Sequence, residues 1–62
     1  DIMMRALDQI SPADRAVIEL VHLEERWVRE AADLLGWSTA NVKVRAHRAR
    51  KKLRKILEKM EE

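Results

Sequence analysis

Eight Lys and Arg residues lie between Ser38 and Leu57, and this stretch contains no Asp or Glu. Ammonium and guanidinium groups donate hydrogen bonds to phosphate oxygens, and they can also bind the acceptor atoms on guanine edges. The preceding part of the chain has the opposite charge, because residues 1–37 carry eight acidic and only four basic residues. The chemistry that this stretch favours is therefore the binding of a polyanion.

The spacing of apolar residues predicts one long helix over residues 39–60, capped by Ser38. At roughly 100° per residue, one arc of this helix collects side chains that we expect to pack on a core: Val42, Ala46, Ala49, Leu53, Ile56, Leu57 and Met60. The opposite arc is small and basic: Ala40, Lys43, Val44, His47, Arg48 and Lys51. This division suits a DNA major groove, whose floor presents base edges and whose walls are phosphates.

Recognition helices reach bases mainly from their N-terminal turns. We therefore expect base contacts from four residues: Lys43, Val44, His47 and Arg48. Lys43 and Arg48 can bind guanine acceptors, and Val44 can touch a thymine methyl group. Phosphate contacts are expected from the polar residues around this arc and from one residue of the preceding helix: Thr39, Asn41, Arg45, Arg50, Lys51, Lys52 and Arg29.

Three shorter helices are predicted before the basic helix, over about residues 2–9, 12–24 and 27–35. Ser11 can cap the second of them, with Pro12 at its first position and Asp14 facing solvent. The fold class is therefore predicted to be all-α, with four helices.

The third and fourth helices are predicted to be joined by Gly36-Trp37-Ser38. Gly36 can end the third helix in a left-handed conformation. A three-residue turn of this kind is typical of a helix-turn-helix, and here the basic helix comes second.

The chain has 62 residues, which fits one small domain near the lower size limit for folding without a staple. We interpret residues 1–62 as a single helix-turn-helix domain from a longer protein, because the chain begins at Asp1 without an initiator Met. It has no Cys, which excludes disulfides and thiolate metal sites. No run approaches the roughly 18 apolar residues of a membrane span, and no secretory signal is present.

An enzymatic function is not expected. The only two His residues, His22 and His47, are far apart in the sequence, and no paired carboxylates suggest a catalytic cleft. Gly36 is the single glycine, so no glycine-rich phosphate loop exists. We expect no cofactor, no metal and no small-molecule substrate.

The stretch REAADLLGWSTANVKVRAHRARKKLRK, preceded by SPADR, resembles region four of bacterial sigma factors. The resemblance covers about residues 5–57 and is closest to the extracytoplasmic-function group. Its most specific part is the run HRARKKL, at residues 47–53, because LuxR-type regulators share the turn but usually lack this run.

The resemblance implies sequence-specific binding to the minus-thirty-five element of double-stranded promoter DNA, by which RNA polymerase is directed to promoters for transcription initiation. It also implies docking on the flap of the polymerase β subunit, and for many members inhibition by an anti-sigma factor. A bacterial, cytoplasmic protein with no membrane partner is expected on the same grounds.

A second surface is expected to bind protein, because a domain this small cannot bury all its apolar residues. The candidates are Met3, Met4, Leu7, Leu23 and Trp27. The alternative is that these residues close the core. Trp27 stands where family members often have a capping Ser or Thr, and either covers the second helix or belongs to a partner surface.

Two other functions remain open on the sequence. The first is a LuxR-type or other helix-turn-helix regulator, which dimerisation would favour. The second is a protein-interaction module whose basic amphipathic helix binds an acidic partner or a membrane surface.

Overall fold

The computed structural model describes residues 1–61, and its helices are α1 (Ile2–Leu7), α2 (Pro12–Ile18), α3 (Val28–Leu35) and α4 (Thr39–Met60). Residues 1–61 contain no strand, so the predicted all-α, four-helix fold is confirmed. In this part of the chain, no helix combines the length and the apolar character that crossing a bilayer requires.

Helix α2 begins as its sequence predicts. The Ser11 hydroxyl accepts a hydrogen bond from the backbone N–H of Asp14 at 3.2 Å, and Pro12 occupies the first turn. Helix α1 is capped by Asp1 and ends at Leu7, two residues earlier than predicted. Both starts follow the usual rule that a short polar side chain satisfies the free N–H groups of the first turn.

Helix α2 does not stay α-helical up to Glu24, as the sequence predicted. It continues as a π-helical segment over Glu19–Leu23, in which the N–H of Glu24 donates to the carbonyl of Glu19 at 2.8 Å. A π-helical turn contains one residue more than an α-helical turn. The helix ends after this segment, with Glu24 as its C-cap. Glu25 then adopts a left-handed φ of 54°, which redirects the chain towards α3.

The predicted helix-turn-helix is confirmed. Gly36 ends α3 with φ of 72°, and the N–H of Trp37 returns to the carbonyl of Ala32 at 2.9 Å. Ser38 starts α4 by accepting the N–H of Asn41 at 3.1 Å. The left-handed glycine and the hydroxyl cap together fix the angle at which α4 leaves α3.

Helix α4 is the central element, since α1, α2 and α3 all pack against it. It contributes Val42, Ala46, Ala49 and Leu53 to the core, and the two alanines allow neighbouring helices to approach closely. The other helices contribute six buried apolar residues: Ala6, Leu7, Val17, Ile18, Ala31 and Ala32. The core therefore holds α4 by one face and leaves the opposite face free.

Candidate nucleic-acid interface

The free face of α4 carries the four residues for which base contacts are predicted. Lys43, Val44, His47 and Arg48 are all exposed, while Val42 and Ala46, which alternate with them along the helix, are buried. Val44 is the one aliphatic residue among these four, and it is 46% exposed. Such a surface offers both hydrogen-bond donors and an apolar contact to base edges.

The electrostatic potential on this face of α4 is expected to be positive, beginning at the first turn of the helix. No acidic residue lies in the first turn of α4, so the positive end of the helix dipole is not neutralised there. Among residues 1–61, only two α4 cations form ion pairs, Arg45 and Lys52. The exposed cations on the free face, including Arg48 and Lys51, are therefore available to an external anion.

Asp14 pairs with Arg45 and Lys52 on one side of α4. Nη2 of Arg45 and Nζ of Lys52 each donate to its carboxylate at 3.3 Å. Asp14 is only 5% exposed, so the expectation that it faces solvent is wrong. Its position in α2 is explained by the two cations, which compensate its charge as α2 packs on α4.

Burial alone would raise the pKa of Asp14. Hydrogen bonds from Lys52 and Arg45, the charge of Lys52 and a hydrogen bond with Ser11 lower the pKa by more than burial raises it. The net effect is a pKa below the ordinary value of 3.8. The carboxylate is therefore ionised at neutral pH and binds both cations as an anion.

The guanidinium of Arg45 also lies over the ring of Trp37, 5.0 Å from the ring centroid. This is within the range of a cation–π interaction. Arg45 thus links α2, α4 and the turn before α4, a role that its place in the basic run did not indicate. No sequence signal pairs Asp14 with Arg45, because 31 residues separate them.

The N-terminal turns of α3 and α4 form a groove of about 350 Å³ on the other side of α4. It is lined by Trp27, Val28, Arg29, Thr39 and Lys43. The structure thus brings together two predicted phosphate contacts, Arg29 and Thr39, and one predicted base contact, Lys43. Three further predicted phosphate contacts lie elsewhere on α4: Asn41 is half-buried, and Arg50 and Lys51 are exposed. The remaining two, Arg45 and Lys52, bind Asp14.

Trp27 is 75% exposed, so the alternative in which it covers the second helix is wrong. The side chain of Trp cannot accept the N–H groups of the first turn of α3. Glu30 supplies the reciprocal contact instead, since its carboxylate accepts the backbone N–H of Trp27 at 3.3 Å.

The predicted protein-interaction residues divide into two groups. Leu7 is 2% exposed and belongs to the core, so its assignment to a surface is wrong. Met4 and Leu23 are 49% and 53% exposed, and Met3 is half-buried against the core. Met3 and Leu23 line a groove of about 300 Å³, with Ile18, His22, Arg50 and Leu53. Arg50 therefore borders this groove as well as the basic face.

Within residues 1–61, no group of His, Asp and Glu side chains has the arrangement needed to hold a metal ion.

Comparison with known proteins agrees with this geometry. Residues 1–53 match the family described as Sigma-70, region 4. The chain is 39% identical over 57 residues to the RNA polymerase sigma-E factor of Streptomyces antibioticus; the match covers 92% of this chain and 32% of that protein. No solved structure matches the chain. With its helix-turn-helix and basic second helix, the chain belongs to the sigma-70 region 4 family.

Proposed function

We propose that this domain binds the minus-thirty-five element of promoter DNA and thereby helps to direct RNA polymerase to promoters. The observation that carries the proposal is the two-sided character of α4. Its core face is buried at Val42 and Ala49, and its opposite face exposes Lys43, Val44 and Arg48. Neither Lys43 nor Arg48 has an ion-pairing partner among residues 1–61. A rigidly held helix with a free basic face can enter a major groove.

In this proposal the first three turns of α4 read the bases. Arg48 and Lys43 donate to guanine acceptors, Val44 contacts a thymine methyl group, and His47 donates to a base acceptor. The 22-residue helix is about 33 Å long at 1.5 Å per residue. Its C-terminal cations, such as Arg54 and Lys55, consequently lie beyond the part that enters the groove.

Phosphate contacts come from the residues that border the reading face. Lys51, Asn41 and Arg50 border it on α4, and Thr39 and Arg29 lie at the groove between α3 and α4. For Arg45 and Lys52, a phosphate must compete with the carboxylate of Asp14 or share the cation with it.

RNA polymerase binding is assigned to a second surface, which meets α4 at Arg50 and Leu53. Met4 and Leu23 expose about half of their surface, and Leu23 lines an apolar groove with Met3. Apolar side chains of this kind, Met above all, adapt to a protein partner. The proposed partner is the flap of the polymerase β subunit, and an anti-sigma factor would compete for the same face.

Selection from random duplex DNA with the 62-residue chain tests the DNA proposal. We expect a short consensus to be enriched, weak affinity at physiological salt, and a slope of log affinity against log salt of about −0.9 per phosphate contact. Enrichment without a consensus would contradict base reading. Nanomolar binding at physiological salt would contradict the expectation that other parts of a sigma factor supply most of the affinity.

The polymerase proposal is tested separately with a purified β-flap fragment. Met4→Ser and Leu23→Ser should weaken binding of the flap and leave binding of duplex DNA unchanged, since neither residue lies on the basic face. Leu34→Ala is the control, because Leu34 is also exposed but lies on α3, whereas Met4 lies on α1 and Leu23 on the π-helical segment. Equal flap binding by all variants would contradict this assignment.

A further inference from the structure

Trp27 is the most exposed of the large hydrophobic residues described in residues 1–61. Its exposure does not come from a loose backbone. The carbonyl of Trp27 accepts the N–H of Ala31 at 3.0 Å, and its own N–H donates to Glu30 at 3.3 Å. The indole is therefore presented to solvent from a fixed position at the start of α3.

The chain uses its other tryptophan differently. Trp37 packs against the core with its ring beneath the guanidinium of Arg45. The ring of Trp27 has no such cover and loses the favourable burial that a large aromatic side chain normally gains. An exposed amphipathic ring on an ordered backbone is suited to an interface, since a Trp side chain has only two rotatable bonds to fix on binding.

The surroundings of Trp27 indicate the chemistry of the partner. The residues that line the groove with it include two cations, Arg29 and Lys43, and one hydroxyl, Thr39. The nearby Glu30 carboxylate is engaged with the backbone N–H of Trp27 and with Arg26. Lys43 belongs to the reading face of α4, so Trp27 lies next to that face and not on the side of Met4 and Leu23. A groove with this charge complements a chain of phosphates.

The indole supplies what a nucleic-acid backbone can use. Its N–H is a hydrogen-bond donor and has no acceptor capacity, so it can bind a phosphate oxygen. The apolar face of the ring can at the same time pack on a deoxyribose. An acidic peptide would also complement the cations, but it would not require a position beside the base-reading residues.

We infer that Trp27 is a DNA-backbone contact, in which the indole N–H donates to a phosphate oxygen bordering the major groove while the ring covers the adjoining sugar. The inference rests on the proposed function and deepens it, because it extends the DNA interface from α4 to the start of α3. It also moves Trp27 from the predicted protein-binding surface to the nucleic-acid interface.

The test measures the affinity of the 62-residue chain for two labelled duplexes over a range of salt concentrations. One duplex carries the selected consensus and the other a scrambled sequence. Trp27→Phe keeps a ring and removes the N–H, and should weaken binding to both duplexes by about two- to tenfold. Since the indole is uncharged, the salt slope should not change, whereas Arg29→Ala should reduce it by about 0.9.

Trp27→Ala should weaken binding more than Trp27→Phe, because the contact of the ring is also lost. Leu34→Ala, which removes another exposed apolar side chain from α3, should change neither affinity nor slope. Because Trp27 is 75% exposed, thermal melting should confirm that both Trp27 variants remain folded.

If Trp27→Phe and Trp27→Ala both bind the two duplexes with wild-type affinity, the inference is overturned. The proposed function still stands in that case if Arg48→Ala relaxes sequence preference. Weaker flap binding with unchanged DNA binding overturns it too, and returns Trp27 to the protein surface. If the wild type binds both duplexes equally, base reading fails, but a loss in Trp27→Phe on both still supports the backbone contact.

Discussion

Asp14 and Arg45 lie 31 positions apart in the sequence, yet Nη2 of Arg45 donates to the Asp14 carboxylate at 3.3 Å. The pair joins the first turn of α2 to α4. It thereby fixes α4 on the core from one side, while the left-handed Gly36 fixes the start of α4 from the other. A contact within the protein therefore helps to set the orientation of the exposed basic face of α4.

The pH dependence of stability should report this contact. The pKa of Asp14 lies below 3.8 in the folded protein. At pH values around this pKa, the folded state therefore binds fewer protons than the unfolded state. The stabilisation is complete above about pH 5, one unit above the pKa of an unfolded Asp. It should be lost as the pH falls through the pKa of folded Asp14, and urea unfolding at several pH values measures the loss.

Asp14→Asn should have a lower free energy of unfolding at pH 7 and a flatter dependence on pH below 4. Asp14→Ala should lose about 1–3 kcal/mol, because both cations lose their charged partner. Asp33→Asn is the control, since Asp33 is exposed and forms no ion pair within residues 1–61. Parallel pH profiles for Asp14→Asn and the wild type would contradict the assignment.

Arg48 and Lys51 should differ in what they contribute to DNA binding. Arg48→Ala should cost about 1–3 kcal/mol and relax preference at one base position. Lys51→Ala should weaken binding to all sequences alike and reduce the salt slope by about 0.9. Competition binding against a panel of single-base variants separates the two effects, and identical behaviour of the two variants would refute the division.

Leu7 and Met4 should separate stability from partner binding. Leu7→Ala removes a side chain that is 2% exposed and should cost about 2–5 kcal/mol in unfolding free energy. Met4→Ser alters a side chain that is 49% exposed and should leave the melting temperature nearly unchanged. A large loss of stability in Met4→Ser would show that this residue closes the core.

Gly36 should tolerate Asn better than Ala. An added Cβ at Gly36 would meet no atom within 4 Å, so the cost of Gly36→Ala comes from its φ of 72° and not from a clash. We expect Gly36→Ala to lose about 1–2 kcal/mol. Gly36→Asn should lose less, because Asn adopts the left-handed conformation more readily. Chemical denaturation of both variants measures the difference, and equal losses would point to another cause.

The helix-turn-helix was predictable because local signals determine it. Ser38 caps its own helix, Gly36 ends the preceding one, and the spacing of apolar residues orients α4. Each of these features depends on residues within one or two turns. The limits of α4, Thr39–Met60, accordingly match the prediction.

The features that the sequence did not predict depend on tertiary contacts. The sequence predicts that Asp14 faces solvent in the first turn of α2. Its burial depends on two cations of α4, Arg45 and Lys52, which are distant in the sequence. Leu7 and Met4 lie on one short helix, and only the packing of α1 on α4 shows which is buried. The π-helical segment Glu19–Leu23 has no composition that distinguishes it from an α-helix. The roles of individual residues towards DNA remain predictions.

The division of α4 into a core face and a free face has a consequence for how this domain can evolve. The other α-helices pack on α4 through buried residues such as Val42, Ala49 and Leu53, and α2 also bonds Arg45 and Lys52 at the side. Lys43, Val44, His47 and Arg48 are exposed, so we expect most substitutions there to change stability little. Under the proposed function, a gene duplicate could acquire a new promoter preference through single substitutions, without an unstable intermediate on the way.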